Sequence, residues 1–182
     1  MKVVRLAIPD VCLIEAQVFG DPRGFFLETW RDETFRREVS DVTFVQDNQS
    51  RSRQWTLRGL HFQAEHTQGK LVRCSMGRVL DVAVDVRRSS PSFGRFVTAE
   101  LSETNQHQLW VPPGFAHGFV VLSESADLMY KVTDRYDPAS ERTLRWDDPA
   151  LGIDWMVPNG VMPLLSPKDA AGALLVDLET LP

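Results

Sequence analysis

Groups able to move a proton are few in this 182-residue chain, and several of them fall together. Leu57-Arg58-Gly59-Leu60-His61-Phe62-Gln63 carries His61 within an apolar run. Strand parity groups His61 with Gly59 and Gln63, and Arg58 with Leu60 and Phe62. Small and polar neighbours then leave room for a ligand beside the imidazole. A hydrogen-bonded core histidine is the plainer alternative. The cations Arg58 and Lys70 close by in sequence point instead to an anion site. A histidine titrates near neutral pH, which suits proton abstraction. A phenolic acid has two candidates. Tyr130 follows Leu128-Met129 on an apolar run, and Tyr136 lies in the polar stretch from Thr133 to Ser140.

Other polar groups sit at turns. Gly20-Asp21-Pro22-Arg23-Gly24 presents Arg23 on a turn, with Phe25 and Glu28 on the strand that follows. A solvated surface turn explains Arg23 equally well. Gln46-Asp47-Asn48-Gln49-Ser50 precedes the His61 segment. Pro112-Pro113-Gly114 places His117 at the start of a strand. Glu141 and Ser166-Pro167-Lys168-Asp169 complete the set. Asp169 could orient His61 if the C-terminal segment folds back over the sheet. Metal binding is not expected. Histidines 61, 66, 107 and 117 contain no His-x-His pair, and Cys12 and Cys74 are the only thiols.

Strands must position these groups. Arg78 to Val86 alternates, with Leu80, Val82, Val84 and Val86 on one face and Val79, Asp81, Ala83 and Asp85 on the other. Leu71 to Ser75, Arg95 to Leu101, Gln108 to Val111, Gly118 to Leu122, Leu128 to Val132 and Arg142 to Trp146 read as further strands. Ser123 to Asp127 reads as a loop between two of them. Short strands with turn signals at this spacing predict a β-sandwich or small barrel. Asp32 to Val39 and Lys168 to Leu175 are the helix candidates. Alternating βαβα units are absent, which argues against a parallel sheet.

Composition narrows the classes. The chain is 43% hydrophobic and 25% charged, which excludes disorder and low complexity. A single domain over 1–182 is expected. Net charge is −5, from 20 basic and 25 acidic residues, so nucleic acid is a poor partner. Lysines 2, 70, 131 and 168 leave sixteen arginines, the side chain suited to forked phosphate contacts. Codon bias explains that excess without any function. Asp10 interrupts the apolar residues near the N-terminus, and no run suits a signal peptide or membrane helix, so cytoplasm with reduced thiols is expected.

Several blocks in order resemble the dTDP-4-dehydrorhamnose 3,5-epimerase family of nucleotide-sugar biosynthesis. They are Gly20-Asp-Pro-Arg-Gly-Phe-Phe, Phe44-Val-Gln-Asp-Asn-Gln-Ser-Arg-Ser, Leu57-Arg-Gly-Leu-His-Phe-Gln, Gly69-Lys-Leu-Val-Arg, Asp81-Val-Ala-Val-Asp, Pro113-Gly-Phe-Ala-His-Gly-Phe, Tyr130-Lys and Ser166-Pro-Lys-Asp. The likeness runs from about Ala7 to Leu175. Gln49, Trp30 and Met156 depart from the family pattern, and none of the three carries a catalytic role. The resemblance implies an all-β, metal-free cupin-type jelly-roll β-sandwich with short peripheral helices, assembled as a homodimer. It implies a dTDP-sugar substrate and no cofactor. It implies His61 as base, Asp169 as its carboxylate partner, Tyr130 as the opposing acid and Lys70 beside the substrate's C4 oxygen. Arg23, Phe25, Glu28, Gln46, Asn48, Arg58, His117, Glu141 and Lys168 match substrate-contact positions, with Phe25 available to stack on thymine. A relative inverting only C3 or only C5, or a 3,4-ketoisomerase, would share these blocks. A non-catalytic sugar-nucleotide-binding cupin would not need the acid–base set.

Overall fold

Residues 1–181 are described by a computed structural model, in which strands outnumber helices thirteen to two. The N-terminal part holds β1 (Lys2–Arg5), β2 (Cys12–Glu15), β3 (Val18–Asp21), β4 (Gly24–Leu27) and helix α1 (Asp32–Glu38). Eight strands follow: β5 (Gln46–Arg53), β6 (Leu57–Gln63), β7 (Lys70–Met76), β8 (Arg78–Asp85), β9 (Phe96–Ser102), β10 (His107–Val111), β11 (Phe115–Val121) and β12 (Ser125–Val132). Strand β13 (Glu141–Thr143) and helix α2 (Pro167–Ala170) lie in the C-terminal segment.

Eleven of the strands, the eight central ones with β1, β2 and β13, form two antiparallel sheets. One runs β1-β2-β10-β7-β12-β5 and the other β13-β6-β11-β8-β9. Strands β5 to β12 thus divide four and four between facing sheets, switching sheet at every step except the β8–β9 hairpin, which is the double Greek key of a jelly roll and matches the expected architecture. Val72, Leu109, Leu128, Val79, Phe115 and Val121 pack between the sheets.

Strand β8 shows why the alternation matters. Its apolar residues Leu80, Val82 and Val84 point away from the partner sheet, into a second cluster that the C-terminal segment covers with Trp155, Leu178 and Leu181. Its other face turns Val79, Ala83 and two acids inward, and Asp81 and Asp85 are both fully buried. Asp85 is satisfied there by Arg87, Ser90 and Ser92.

Three expectations need correction. Strand β12 begins at Ser125, inside the stretch read as a loop, because Ala126 is buried in the core and Asp127 pairs with Arg51 of β5. The helix expected over Lys168 to Leu175 lasts one turn, Pro167–Ala170. Ala173 then donates its N–H to the Thr143 carbonyl, so the chain runs on as an extended cover. The strand expected over Arg142 to Trp146 is shorter, Glu141–Thr143, with an isolated bridge at Leu144. Among the described residues no helix is long and apolar enough to cross a membrane.

Candidate active site

A cavity of about 460 Å³ opens between the two sheets. Strand β6 reaches it through a local irregularity. His61 faces His117 of β11, and Arg58 faces Phe119, so Gly59 and Leu60 of β6 lie opposite Gly118 alone. This bulge puts Leu57 and Leu60 on the outer, apolar side, while Arg58 and His61 both line the cavity. Parity alone had separated Arg58 from His61, and the extra residue reunites them. Gly59 and Gly118 make the crossing possible: a Cβ on Gly118 would lie 2.6 Å from the Arg58 carbonyl oxygen.

His61 Nε2 lies 2.7 Å from Asp169 Oδ1. The contact is short but angled, and Nε2 has no well-aligned acceptor. Such catalytic contacts often tighten only around substrate. Asp169 is held by a capping box at the start of α2. The Ser166 hydroxyl donates to Asp169 Oδ2 at 2.6 Å, and the Asp169 N–H returns to the Ser166 oxygen. The Gly59 N–H donates to Asp169 Oδ1 at 3.1 Å. Burial works against the Asp169 charge. The contacts from His61, Ser166 and Gly59 outweigh it and hold the carboxyl at about 2. The carboxylate is therefore ionised at neutral pH and lies against His61 Nε2, where it could stabilise an imidazolium.

The opposite sheet supplies the other groups. Tyr130 stands on β12 and lines the same cavity. Burial raises its phenol above the ordinary value, so it is protonated and ready to donate. Lys70 begins β7, is buried, and donates to the His61 backbone carbonyl at 3.1 Å. Burial lowers its ammonium to about 8, against the pull of Asp81 and Glu141. Gln46 and Asn48, joined at 2.8 Å, and Lys168, bound to Glu141 at 2.8 Å, also line the cavity. Arg58 Nε donates to Ser52 at 3.0 Å.

The structure thus gathers ten of the thirteen anticipated residues: His61, Asp169, Tyr130, Lys70, Gln46, Asn48, Arg58, His117, Glu141 and Lys168. Arg23, Phe25 and Glu28 do not reach this cavity. Arg23 pairs with Asp21 and Glu28 with Arg31, on an exposed hairpin. Sequence reasoning missed Gln68, named Ser166 without a role, and left Tyr136 in a polar loop. Tyr136 lines the cavity, and its hydroxyl donates to Glu141 at 3.0 Å. An aromatic within a charged loop was the available signal. Among the described residues no three His, Cys, Asp or Glu side chains stand close enough together to hold a metal ion.

A family model described as dTDP-4-dehydrorhamnose 3,5-epimerase matches residues 5–177. A Neisseria gonorrhoeae protein of that name is 55% identical over 94% of this chain, which spans about half (52%) of that protein's length. The Salmonella typhimurium protein of that name is 55% identical, over 96% of each chain. A crystal structure of dTDP-6-deoxy-D-glucose-3,5-epimerase from Legionella pneumophila, in complex with dTDP-4-keto-L-rhamnose, superposes with a TM-score of 0.95. It is 46% identical and the match covers 98% of this chain and 94% of that one.

Proposed function

The chain belongs to the dTDP-4-dehydrorhamnose 3,5-epimerase family, and from that premise we propose how its cavity inverts C3 and C5 of a dTDP-4-keto-6-deoxyhexose. The C4 ketone acidifies the hydrogens on both neighbouring carbons. His61 removes one of them, with Asp169 stabilising the imidazolium. The electrons move into an enolate whose oxygen lies toward the Lys70 ammonium, where a buried cation acts most strongly on developing charge. Tyr130 then delivers a proton to the carbon from the other face. The carrying observation is that His61 and Asp169 enter from the β6 side and Tyr130 from the β12 side of one cavity. Base and acid on opposing sheets suit inversion, whereas one group on one face would return the same stereocentre.

Arg58 and His117 supply donors for the diphosphate, and Tyr136 with the Glu141–Lys168 pair borders the space left for the nucleoside. Among the described residues the β3–β4 hairpin makes no sheet with the rest of its own chain, and it exposes Phe19, Phe25 and Phe26 by 55%, 60% and 69%. A two-stranded ribbon is marginal alone. We infer that it packs on a second copy in a homodimer, bringing Arg23, Phe25 and Glu28 to the partner's site.

Proton NMR of dTDP-4-keto-6-deoxyglucose incubated with the protein in heavy water tests the reading. Deuterium at both C3 and C5 with inverted product is expected. Exchange at one centre only would make the chain a mono-epimerase, and none at either would overturn the scheme.

A further inference from the structure

Two loops meet beside the cavity, 64–69 between β6 and β7 and 133–140 between β12 and β13. The second carries Tyr136, which lines the cavity and yet is 52% exposed, so packing does little to hold it. Its hydroxyl is tied to Glu141 at 3.0 Å. Its backbone is tied by one buried side chain, Gln63, at the end of β6 and opposite Glu141 in the ladder. Gln63 Nε2 donates to the Arg135 carbonyl at 3.2 Å, and Gln63 Oε1 accepts the Asp137 N–H at 2.9 Å. These belong to the two planar peptide groups that flank Tyr136, so one amide restrains both backbone dihedrals of that residue. The same Nε2 donates to the His66 carbonyl at 2.7 Å and joins the two loops. Gln63 thereby uses both of its N–H donors and its oxygen. A carboxylate here would set an oxygen against two carbonyls, and an apolar side chain would leave three backbone groups without this partner. Gln63 itself does not line the cavity.

We propose that Gln63 is a positioning residue for the nucleotide, holding Tyr136 where it borders the nucleoside of a nucleoside diphosphate. This rests on the epimerase reading proposed above and adds a residue that never touches substrate. Without Gln63, Tyr136 and its loop would have to be ordered each time a nucleotide binds. Ordering at the moment of binding costs affinity and leaves the chemical step alone. His61, two residues away on β6, is held from another side by Asp169, so the proton-transfer groups keep their places.

The test compares the parent with Gln63→Leu, Gln63→Glu, Tyr136→Ala and the Gln63→Leu/Tyr136→Ala double variant. Calorimetric titration with dTDP gives Kd, and steady-state kinetics on the ketosugar gives KM and kcat. In both Gln63 variants KM and the Kd for dTDP should rise together by roughly tenfold, the scale of ordering one residue's backbone on binding, while kcat stays near the parent's. Equal factors place the loss at the nucleotide, since dTDP carries no ketohexose. Tyr136→Ala should also weaken dTDP, and adding Gln63→Leu to it should cost little more, because Gln63 acts through Tyr136. Folded Gln63 variants with the parent's Kd would overturn the proposal, even if their melting temperatures fall. So would a Tyr136→Ala protein that binds dTDP like the parent, a double variant in which the two losses multiply, or a fall in kcat with KM unmoved. If neither Gln63 variant folds, Gln63 is a requirement of the fold and the proposal is equally overturned. A parent that binds dTDP yet leaves the ketosugar unchanged would instead remove the epimerase reading, and the titrations would still decide the role of Gln63.

Discussion

In the proposed scheme His61, Asp169 and Tyr130 divide one reaction among three side chains, and single substitutions should separate their parts. His61→Ala should lower kcat by roughly 10² to 10⁴, the usual worth of a placed general base, with a smaller change in substrate affinity. Asp169→Asn should cost less, because the imidazole stays and only its orientation and counter-charge suffer. Steady-state kinetics on both variants checks the order; a His61→Ala protein at near-parent rate would move the base elsewhere. Tyr130→Phe leaves His61 able to take a proton and return a solvent deuteron to the same face. That variant should exchange hydrogen for deuterium in heavy water while forming little inverted product. Its hydroxyl makes no hydrogen bond to the protein among the described residues, so melting should be unchanged. A folded Tyr130→Phe that inverts both centres at the parent's rate would sink the assignment. Tyr136 lies in a polar stretch of the sequence, yet Tyr136→Phe should not resemble the parent. With its hydroxyl on Glu141 at 3.0 Å, it should instead raise KM while leaving kcat near the parent's value.

At the scale of elements, the dyad depends on one short turn of helix. Ser166 caps α2, and its hydroxyl also donates to Asp169. Ser166→Ala should cost about 1 kcal/mol as a lost cap. It should also raise the Asp169 carboxyl from about 2, since one of its supporting hydrogen bonds is gone. A carboxyl held near 2 in the folded chain and near roughly 3.9 in the unfolded one stabilises the fold above pH 4 and loses that contribution as pH falls toward 2. In Ser166→Ala the loss should begin from a smaller advantage, so the gap between parent and variant stability should narrow as pH falls through this window. Chemical denaturation at pH 7, 4 and 2.5 measures it; a gap that widens on acidification would contradict the capping account. Much of this scale was legible beforehand. Alternation is a local property, so β8, β9 and β10 could be read from their own residues, as could α1. The apolar residues after Lys168 misled, because Ala173 and Leu175 answer to strand packing rather than to a helical period. The bulge near Gly59 was hidden for a related reason: it exists because Gly118 of a distant strand comes close. The His61–Asp169 contact joins residues 108 positions apart, and only the fold, or the family resemblance, can bring them together.

At the scale of the whole molecule, the sheets explain the cavity but leave one part of the chain without a purpose inside its own copy. The β3–β4 hairpin exposes a cluster of apolar side chains, including Val18, Phe19, Phe25 and Phe26. Contiguous apolar surface of this kind marks an interaction site. Three residues that match the family's substrate contacts, Arg23, Phe25 and Glu28, lie on this segment and outside their own cavity. Their charges are tied up only with exposed neighbours, Asp21 and Arg31, in pairs of small energetic value. A second copy seated on the hairpin would account for both facts at once. If so, association and substrate affinity share one surface. Phe19→Ser with Phe26→Ser should shift sedimentation from dimer to monomer and raise KM, without lowering the melting temperature of the isolated fold. Arg23→Ala should leave the dimer intact and raise KM alone. Mixing provides the decisive arm. A His61→Ala chain has an intact hairpin and a dead cavity, while an Arg23→Ala chain has the reverse. Heterodimers of the two should contain one site with a working cavity and an intact partner hairpin, so activity should rise above that of either parent variant. No gain on mixing, with exchange of subunits verified, would place the hairpin's residues outside the site altogether.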